Sequence, residues 1–355
     1  MTEKTGFTPL SQIIGQEKAI GFLKKAVIED RMPHSCLFVG IPGVGKRTTA
    51  MALAQAINCM APTEGEACGT CRICRQVASG NFPDLEMVIP QGKVIKIEQI
   101  RELNRRFSYK PVSGRHRVSV VSRAELMTEE AANAFLKTLE EPPERNILIL
   151  TVVETRDLLP TILSRCQKVS FRPIGADLIT QRLQENLGVE RDMALLLTKM
   201  CEGSLGRAMQ MHMGGFLENR NSHLHRIMAL PGLPPVEVLK LAMDITREEK
   251  GKGGEDLEKW DGGLLEVLSV WRTWYRDLML VKTGGQEDLL FNADFSHKLK
   301  NAAKNYSIKS LIESVLLLDG AQRDIFRSRN VDLLIENTLL DLRRLAQQVH
   351  AENEG

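Results

Sequence analysis

Ser35-Cys-Leu-Phe-Val39, then Gly40-Ile-Pro-Gly43-Val-Gly45-Lys46, then an alanine-rich run to about Asn58, form one continuous unit: an apolar strand, a glycine-rich turn and a helix. In that context backbone N–H groups wrap phosphates while a lysine reaches the outer ones. Working outward, Arg117 to Val121 and Ile147 to Val153 read as two more buried strands. Between them a helix is expected from Thr128, with Glu129 and Glu130 in its first turn, to the stop at Pro142-Pro143. Strand, helix and strand in this order imply an α/β fold with a parallel sheet and crossover helices.

After Arg172-Pro173 the strand signals end. A small helical segment is expected from about Asp177 to Met211, containing Glu202-Gly-Ser-Leu-Gly-Arg207. Pro231 to Pro235 and the Gly/Lys-rich stretch Glu248 to Gly254 read as breaks between helices. From Leu264 onward the pattern gives amphipathic helices carrying Trp271, Trp274 and Tyr275, then Leu311 to Leu318, then Leu333 to Leu345. Trp271, Trp274 and the leucine stripes read as helix-packing residues, some of them facing neighbouring chains.

The 355 residues exceed one ordinary core. Hydrophobic residues make up 43% and charged residues 26%, and no apolar run reaches the roughly 18 residues of a membrane helix. A cytoplasmic protein without a membrane partner is the expectation. A net charge of only +2 confines any nucleic-acid contact to a local patch or to partner chains.

The phosphate loop lacks its usual metal partners. The position after Lys46 ordinarily carries Ser or Thr as a magnesium ligand, and here it is Arg47. The strand Val118-Ser-Val-Val121 leads into Ser122-Arg123-Ala124-Glu125, so a neutral and a basic residue occupy the expected acidic pair. Glu125 lies past the strand tip and is a poor substitute. Two losses at separate metal-binding positions argue against hydrolysis. The lysine and the backbone cradle survive, which leaves ATP or ADP binding without a normal magnesium site open, against the plainer reading of an empty glycine-rich turn.

Cys68-Gly-Thr-Cys71-Arg-Ile-Cys74, with Cys59 nine positions earlier, supplies four thiolates. Four such ligands suit structural tetrahedral zinc, and an iron–sulfur cluster is the chemical rival. Cys36, Cys166 and Cys201 read as packing residues.

Several segments together carry a family resemblance: Ile13-Ile-Gly-Gln-Glu-Lys18, the loop from Gly40 to Lys46, the inserted four-cysteine module, Asn133-Ala-Phe-Leu-Lys-Thr-Leu-Glu-Glu-Pro-Pro143, and Leu159-Pro-Thr-Ile-Leu-Ser-Arg165-Cys166. The chain resembles the bacterial clamp-loader branch of the AAA+ ATPases, strongly over the first 210 residues and more loosely beyond. The resemblance implies an AAA+ P-loop core over residues 1–173 with a zinc module at 59–74, a small helical lid at 174–212, and an all-helical collar for oligomerisation at 213–355.

The function it implies is that of a non-hydrolysing subunit of the DNA polymerase III clamp loader, which places a sliding clamp on primed DNA. Its partners would be gamma/tau and delta type subunits in a hetero-pentameric ring. In that family the arginine of the Ser-Arg-Cys motif, here Arg165, reaches a neighbour's ATP. Arg207 matches a second sensor arginine that contacts nucleotide in cis, and Gly40, Gly43, Gly45, Lys46 and Thr48 would form the degenerate nucleotide site. The family's first sensor is a polar residue where this chain has Val152-Val153. Lys137 and Glu140-Glu141 fall in the family's helix signature, with surface pairing as the plainer reading. Two alternatives stay open: an active ATPase of the gamma/tau type using Thr48 and Glu125 for magnesium, and a zinc-ribbon nucleic-acid binder, which the near-neutral charge disfavours.

Overall fold

A computed structural model of the chain describes residues 7–92, 94–140, 142–249, 262–325 and 330–352. The chain divides into two compact units, Met1–Ala208 and Met209–Gly355.

The first unit is built on five parallel strands: β1 (Ser35–Val39), β2 (Leu85–Val88), β3 (Arg117–Val121), β4 (Asn146–Val152) and β5 (Gln167–Ser170), in the order β2-β3-β4-β1-β5. The three strands expected from sequence are the inner ones. β3 and β4 are buried along their whole length and β1 along all but its last residue, because helices cover both faces, so they read as mostly apolar runs with no alternating polar face, a few polar residues such as Ser119 and Thr151 being buried among them. β2 and β5 close the two edges. β5 has a single buried residue, Val169, among exposed neighbours, and β2 carries Glu86 in a four-residue strand. Neither leaves an apolar signal long enough to recognise.

Successive strand residues point to opposite faces and meet different helices. On one face Leu37, Val121, Leu148 and Leu150 pack with Ile100 and Leu103 of α4 (Ile97–Phe107), and with Ala131, Phe135 and Leu139 of α5 (Glu129–Glu140). On the other, Phe38, Val120, Ile147 and Ile149 meet Leu23 of α1 (Glu17–Ile28) and Ala50 and Leu53 of α2 (Lys46–Asn58). Truncating Leu148 or Leu150 to alanine would cost about 2–5 kcal/mol, since either leaves a cavity between sheet and helix. α5 starts where the sequence placed it: the Thr128 hydroxyl accepts the Ala131 N–H at 3.3 Å, and Glu129 and Glu130 complement the helix dipole. α3 (Arg72–Ala78) lies against α2, α6 (Pro160–Leu163) is a single turn before β5, and α7 (Ala176–Leu187), α8 (Arg191–Met200) and α9 (Leu205–Met213) follow the sheet. Glu141 lies outside the described residues.

The second unit is helical: α10 (Phe216–Ala229), α11 (Pro235–Glu249), α12 (Gly262–Lys282), α13 (Ser296–Ala302), α14 (Ile308–Asp324) and α15 (Val331–Glu352). The break around Pro231 falls between α10 and α11. α11 runs through Glu249, and residues 250–254 of the second expected break lie outside the described residues. Trp271, Trp274 and Tyr275 on α12 are buried, as packing residues should be, and the Trp271 indole donates to the His223 carbonyl at 3.1 Å. Arg220 is fully buried, a placement sustained by Asp294 at 2.7 and 2.8 Å and Asn292 at 2.7 Å. Among the described residues no helix is long and apolar enough to cross a membrane.

Candidate nucleotide site, metal centre and surface arginine

The glycine-rich turn leaves β1 at the carboxyl end of the sheet, where the Gly40 N–H donates to the Val152 carbonyl of β4 at 3.2 Å. Gly43 and Gly45 have φ of 75° and 100°, in the left-handed region, and Gly45 forms the N-cap of α2. Lys46 turns its ammonium back onto the carbonyls of Gly40 and Ile41, the latter at 2.9 Å. Arg47 is half-buried and Thr48 exposed, while the hydroxyl of the next residue, Thr49, is buried and donates to the Gly45 carbonyl at 2.8 Å. The position that would hold a magnesium-binding hydroxyl therefore carries a guanidinium, and the nearest buried hydroxyl serves its own helix.

The start of α9 packs directly on this loop. The Gly206 N–H donates to the Gly43 carbonyl at 2.9 Å. A Cβ at Gly43 would stand 2.3 Å from Ser204 Oγ, and one at Gly206 would stand 2.8 Å from the Gly43 Cα. Two facing glycines allow the approach, and sequence spacing gives no sign of it. Arg207 is buried, its N–H donates to Ser204 Oγ at 3.1 Å, and its guanidinium lies 3.6 Å from Glu202. Gln16, from the Ile13 to Lys18 segment, donates to the Val44 carbonyl at 3.3 Å and to the Arg172 carbonyl at 2.7 Å, and accepts the Arg172 N–H at 2.9 Å. Its amide thus ties α1, the loop and the end of β5 together.

At the tip of β3, Ser122 is buried and Arg123 takes a left-handed conformation, φ 54°, its N–H donating to Thr151 Oγ1 at 3.1 Å. The Arg123 guanidinium reaches Glu125 at 3.5 Å. Glu125 sits deeper than its place past the strand suggested. Burial raises its carboxyl above the ordinary value, against the downward pull of Arg123 and Lys46, which puts it within the electrostatic reach of the loop lysine. Val152 ends β4 and is buried.

The four clustered cysteines converge. Cys59 is the C-cap of α2, Cys71 the N-cap of α3, Cys74 lies within α3, and Cys68 comes from the turn at Gly69, φ 74°. Their sulfurs all lie within 4.8 Å of one another. Cys74 Sγ stands 3.4 Å from Cys71, 3.7 Å from Cys59 and 4.0 Å from Cys68. Four Zn–S bonds of about 2.3 Å make a tetrahedron with edges of about 3.8 Å, so the set fits a metal of that kind and none of the pairs is bonded as a disulfide. Backbone N–H groups of Cys68, Cys71 and Cys74 donate to the sulfurs of Cys59, Cys68 and Cys71 at 3.2, 3.3 and 3.5 Å. The Cys71 and Thr70 N–H groups bring the Cys68 thiol down to about 6, while burial pushes Cys74 up. Glu66 fastens the insertion to the rest of the unit through the N–H groups of Leu10 and Ser11 at 2.9 and 2.8 Å and through Lys24 at 2.6 Å. Of the other cysteines, Cys36 and Cys201 are buried and Cys166 only partly so.

Arg165 lies away from these centres, between α6 and β5, and is about one third exposed. One terminal nitrogen donates to the Thr161 carbonyl at 2.9 Å and to Ser164 Oγ at 3.3 Å; the other donates to Glu140 at 2.6 Å.

A family model described as DNA polymerase III, delta subunit, matches residues 15–175. The DNA polymerase III subunit delta' of Bacillus subtilis is 30% identical over 340 residues, 92% of this chain and 96% of that protein. The tau/gamma subunit of Haemophilus influenzae is 35% identical over 200 residues, 55% of this chain and 29% of its own length. Among solved structures, a DNA polymerase III gamma subunit-related protein of Thermotoga maritima aligns over 92% of this chain and 99% of its own, with a TM-score of 0.46 and 20% identity.

Proposed function

Since the chain belongs to the DNA polymerase III delta-prime family, we propose that it serves the clamp loader as a subunit that hydrolyses no ATP itself and lends Arg165 to the ATP of a neighbour. The observation that carries this reading is the double substitution at the magnesium positions: Arg47 at the head of α2, and Ser122-Arg123 at the tip of β3 with Arg123 folded onto Glu125. A P-loop ATPase uses those positions to hold the ion that neutralises the transferring phosphoryl group. With cations there instead, the loop keeps its backbone form and Lys46 but lacks the acid and the hydroxyl.

Under this reading residues 1–173 form an AAA+ core, residues 174–212 a small helical lid and residues 213–355 the collar. The cysteine cluster holds structural zinc through Cys59, Cys68, Cys71 and Cys74, bracing α2 against α3 with no open coordination position for catalysis. The collar joins gamma/tau and delta type subunits into a ring of five acting on a sliding clamp and primed DNA. Two exposed apolar stripes support that assignment: Val236, Leu239 and Met243 on α11, and Ile308, Ile312 and Leu316 on α14. Arg207 braces the lid through Glu202 in place of a nucleotide contact.

The test is ATP turnover by the reconstituted complex. Lys46→Ala in this chain is expected to leave kcat within about twofold, whereas Arg165→Ala silences the one neighbouring site it serves, since such an arginine is worth about 10³–10⁵ at its own site. Normal turnover with Arg165→Ala would sink the reading. The proximity of Glu125 to Lys46 favours a second reading, an active ATPase using Glu125 and Thr48. That reading requires magnesium-dependent hydrolysis by the purified chain, abolished by Lys46→Ala.

A further inference from the structure

Arg165 is fixed although a third of it faces water. Its guanidinium has five N–H groups, and three take acceptors: the Thr161 carbonyl and Ser164 Oγ from its own turn, and the Glu140 carboxylate from the end of α5, which is 25 residues away in sequence. An arginine on a surface turn ordinarily samples many rotamers, and holding it costs side-chain entropy. Here the two local acceptors anchor one nitrogen, and the carboxylate, from a different helix, sets the plane of the group. Among the described residues the Nε–H and one N–H of the other terminal nitrogen keep no acceptor. A guanidinium held on one side with N–H groups left over is suited to receive two phosphate oxygens at once.

We propose that Glu140 is a positioning residue for Arg165, aligning the guanidinium before the neighbour's ATP arrives; the inference rests on the trans-acting role of Arg165 proposed above. Glu140 touches no substrate. It acts by fixing the orientation of the group that does, so that the ordering entropy is lost during folding and not at each turnover. Both partners are too exposed for the pair to matter much to stability, which separates this role from a structural one.

The experiment measures kcat and KM for ATP in the reconstituted clamp loader carrying the full chain, with assembly checked by size-exclusion chromatography. The difference in kcat between wild type and Arg165→Ala is the arginine's whole contribution. Glu140→Ala is expected to forfeit roughly a third of that difference or more with KM unchanged, and to add no further loss to Arg165→Ala, because the two act as one unit. Glu140→Gln, which keeps an acceptor oxygen at the same reach, recovers most of it. Wild-type turnover by Glu140→Ala overturns the proposal, as does an equal loss when Glu140→Ala is added to Arg165→Ala, or Gln failing as badly as Ala. If Arg165→Ala itself changes nothing, the trans-acting reading fails and the inference with it. A loss confined to Arg165→Ala removes the inference and leaves that reading standing.

Discussion

Glu125 sits where its surroundings disfavour a negative charge. Its carboxyl is raised by burial, and although Arg123 and Lys46 oppose the shift, they do not cancel it. A carboxyl that binds its proton more tightly in the folded chain than in the unfolded one favours the fold at low pH, and that contribution is lost as pH rises through the raised value. Above that raised value the wild-type protein holds an ionised group that is costly to bury. Glu125→Gln, which has no charge to bury, is expected to raise the thermal midpoint there. Below about pH 4, where both side chains are neutral, the two proteins should melt together. A lower midpoint for the variant at pH 8 would mean that Arg123 and Lys46 depend on the negative charge. The sequence placed Arg47 after the loop lysine and Ser122-Arg123 at the end of β3, because those positions are fixed by their spacing from the strands. It did not show where Glu125 turns, since that depends on Arg123 taking a left-handed φ that only the folded chain reveals.

Helix ends place most of the chemistry. α2 begins at the glycine-rich loop and ends at Cys59, so one helix joins the candidate nucleotide site to the candidate metal site. Removing the metal should be felt along that helix. Cys74→Ser, which takes away the sulfur nearest to the other three, is expected to release about one metal ion per chain on elemental analysis and to lower the thermal midpoint of the first unit. The loss is bounded by the ~10–16 kcal/mol that structural zinc contributes in small zinc domains. An unchanged metal content would rule out the four-cysteine assignment. The cysteine cluster was legible because its members are close in sequence, and β1, β3 and β4 because strands covered on both faces are mostly apolar along their length. The pairing of Gly206 with Gly43 was not, for it joins segments more than 160 residues apart through backbone atoms alone. Gly206→Ala would force a Cβ against the phosphate loop and should cost about 1–3 kcal/mol in denaturant unfolding. A silent substitution would show that the start of α9 can lift off the loop freely.

At the scale of the molecule, two units with different architectures share one chain, and the candidate site residues all lie in the first. The first carries the parallel sheet, the glycine-rich loop, the four-cysteine cluster and Arg165; the second carries aromatic-cored helices with exposed apolar stripes on α11 and α14. The all-helical character of the second was plain from the absence of strand patterns after Arg172-Pro173. Its internal supports, such as Arg220 held by Asn292 and Asp294, join residues distant in sequence and left no local trace. The burial of Trp271 and Trp274 has a practical consequence. All three tryptophans, at 260, 271 and 274, fall in the second unit, and all seven cysteines, the last at 201, fall in the first. Tryptophan fluorescence, excited selectively, is therefore blind to the sheet and its loop, and thiol labelling is blind to the helices. Recorded together through a urea titration, the two signals report on separate halves without any engineered probe. Displaced midpoints are expected if each unit melts alone, and superimposed curves if they melt as one.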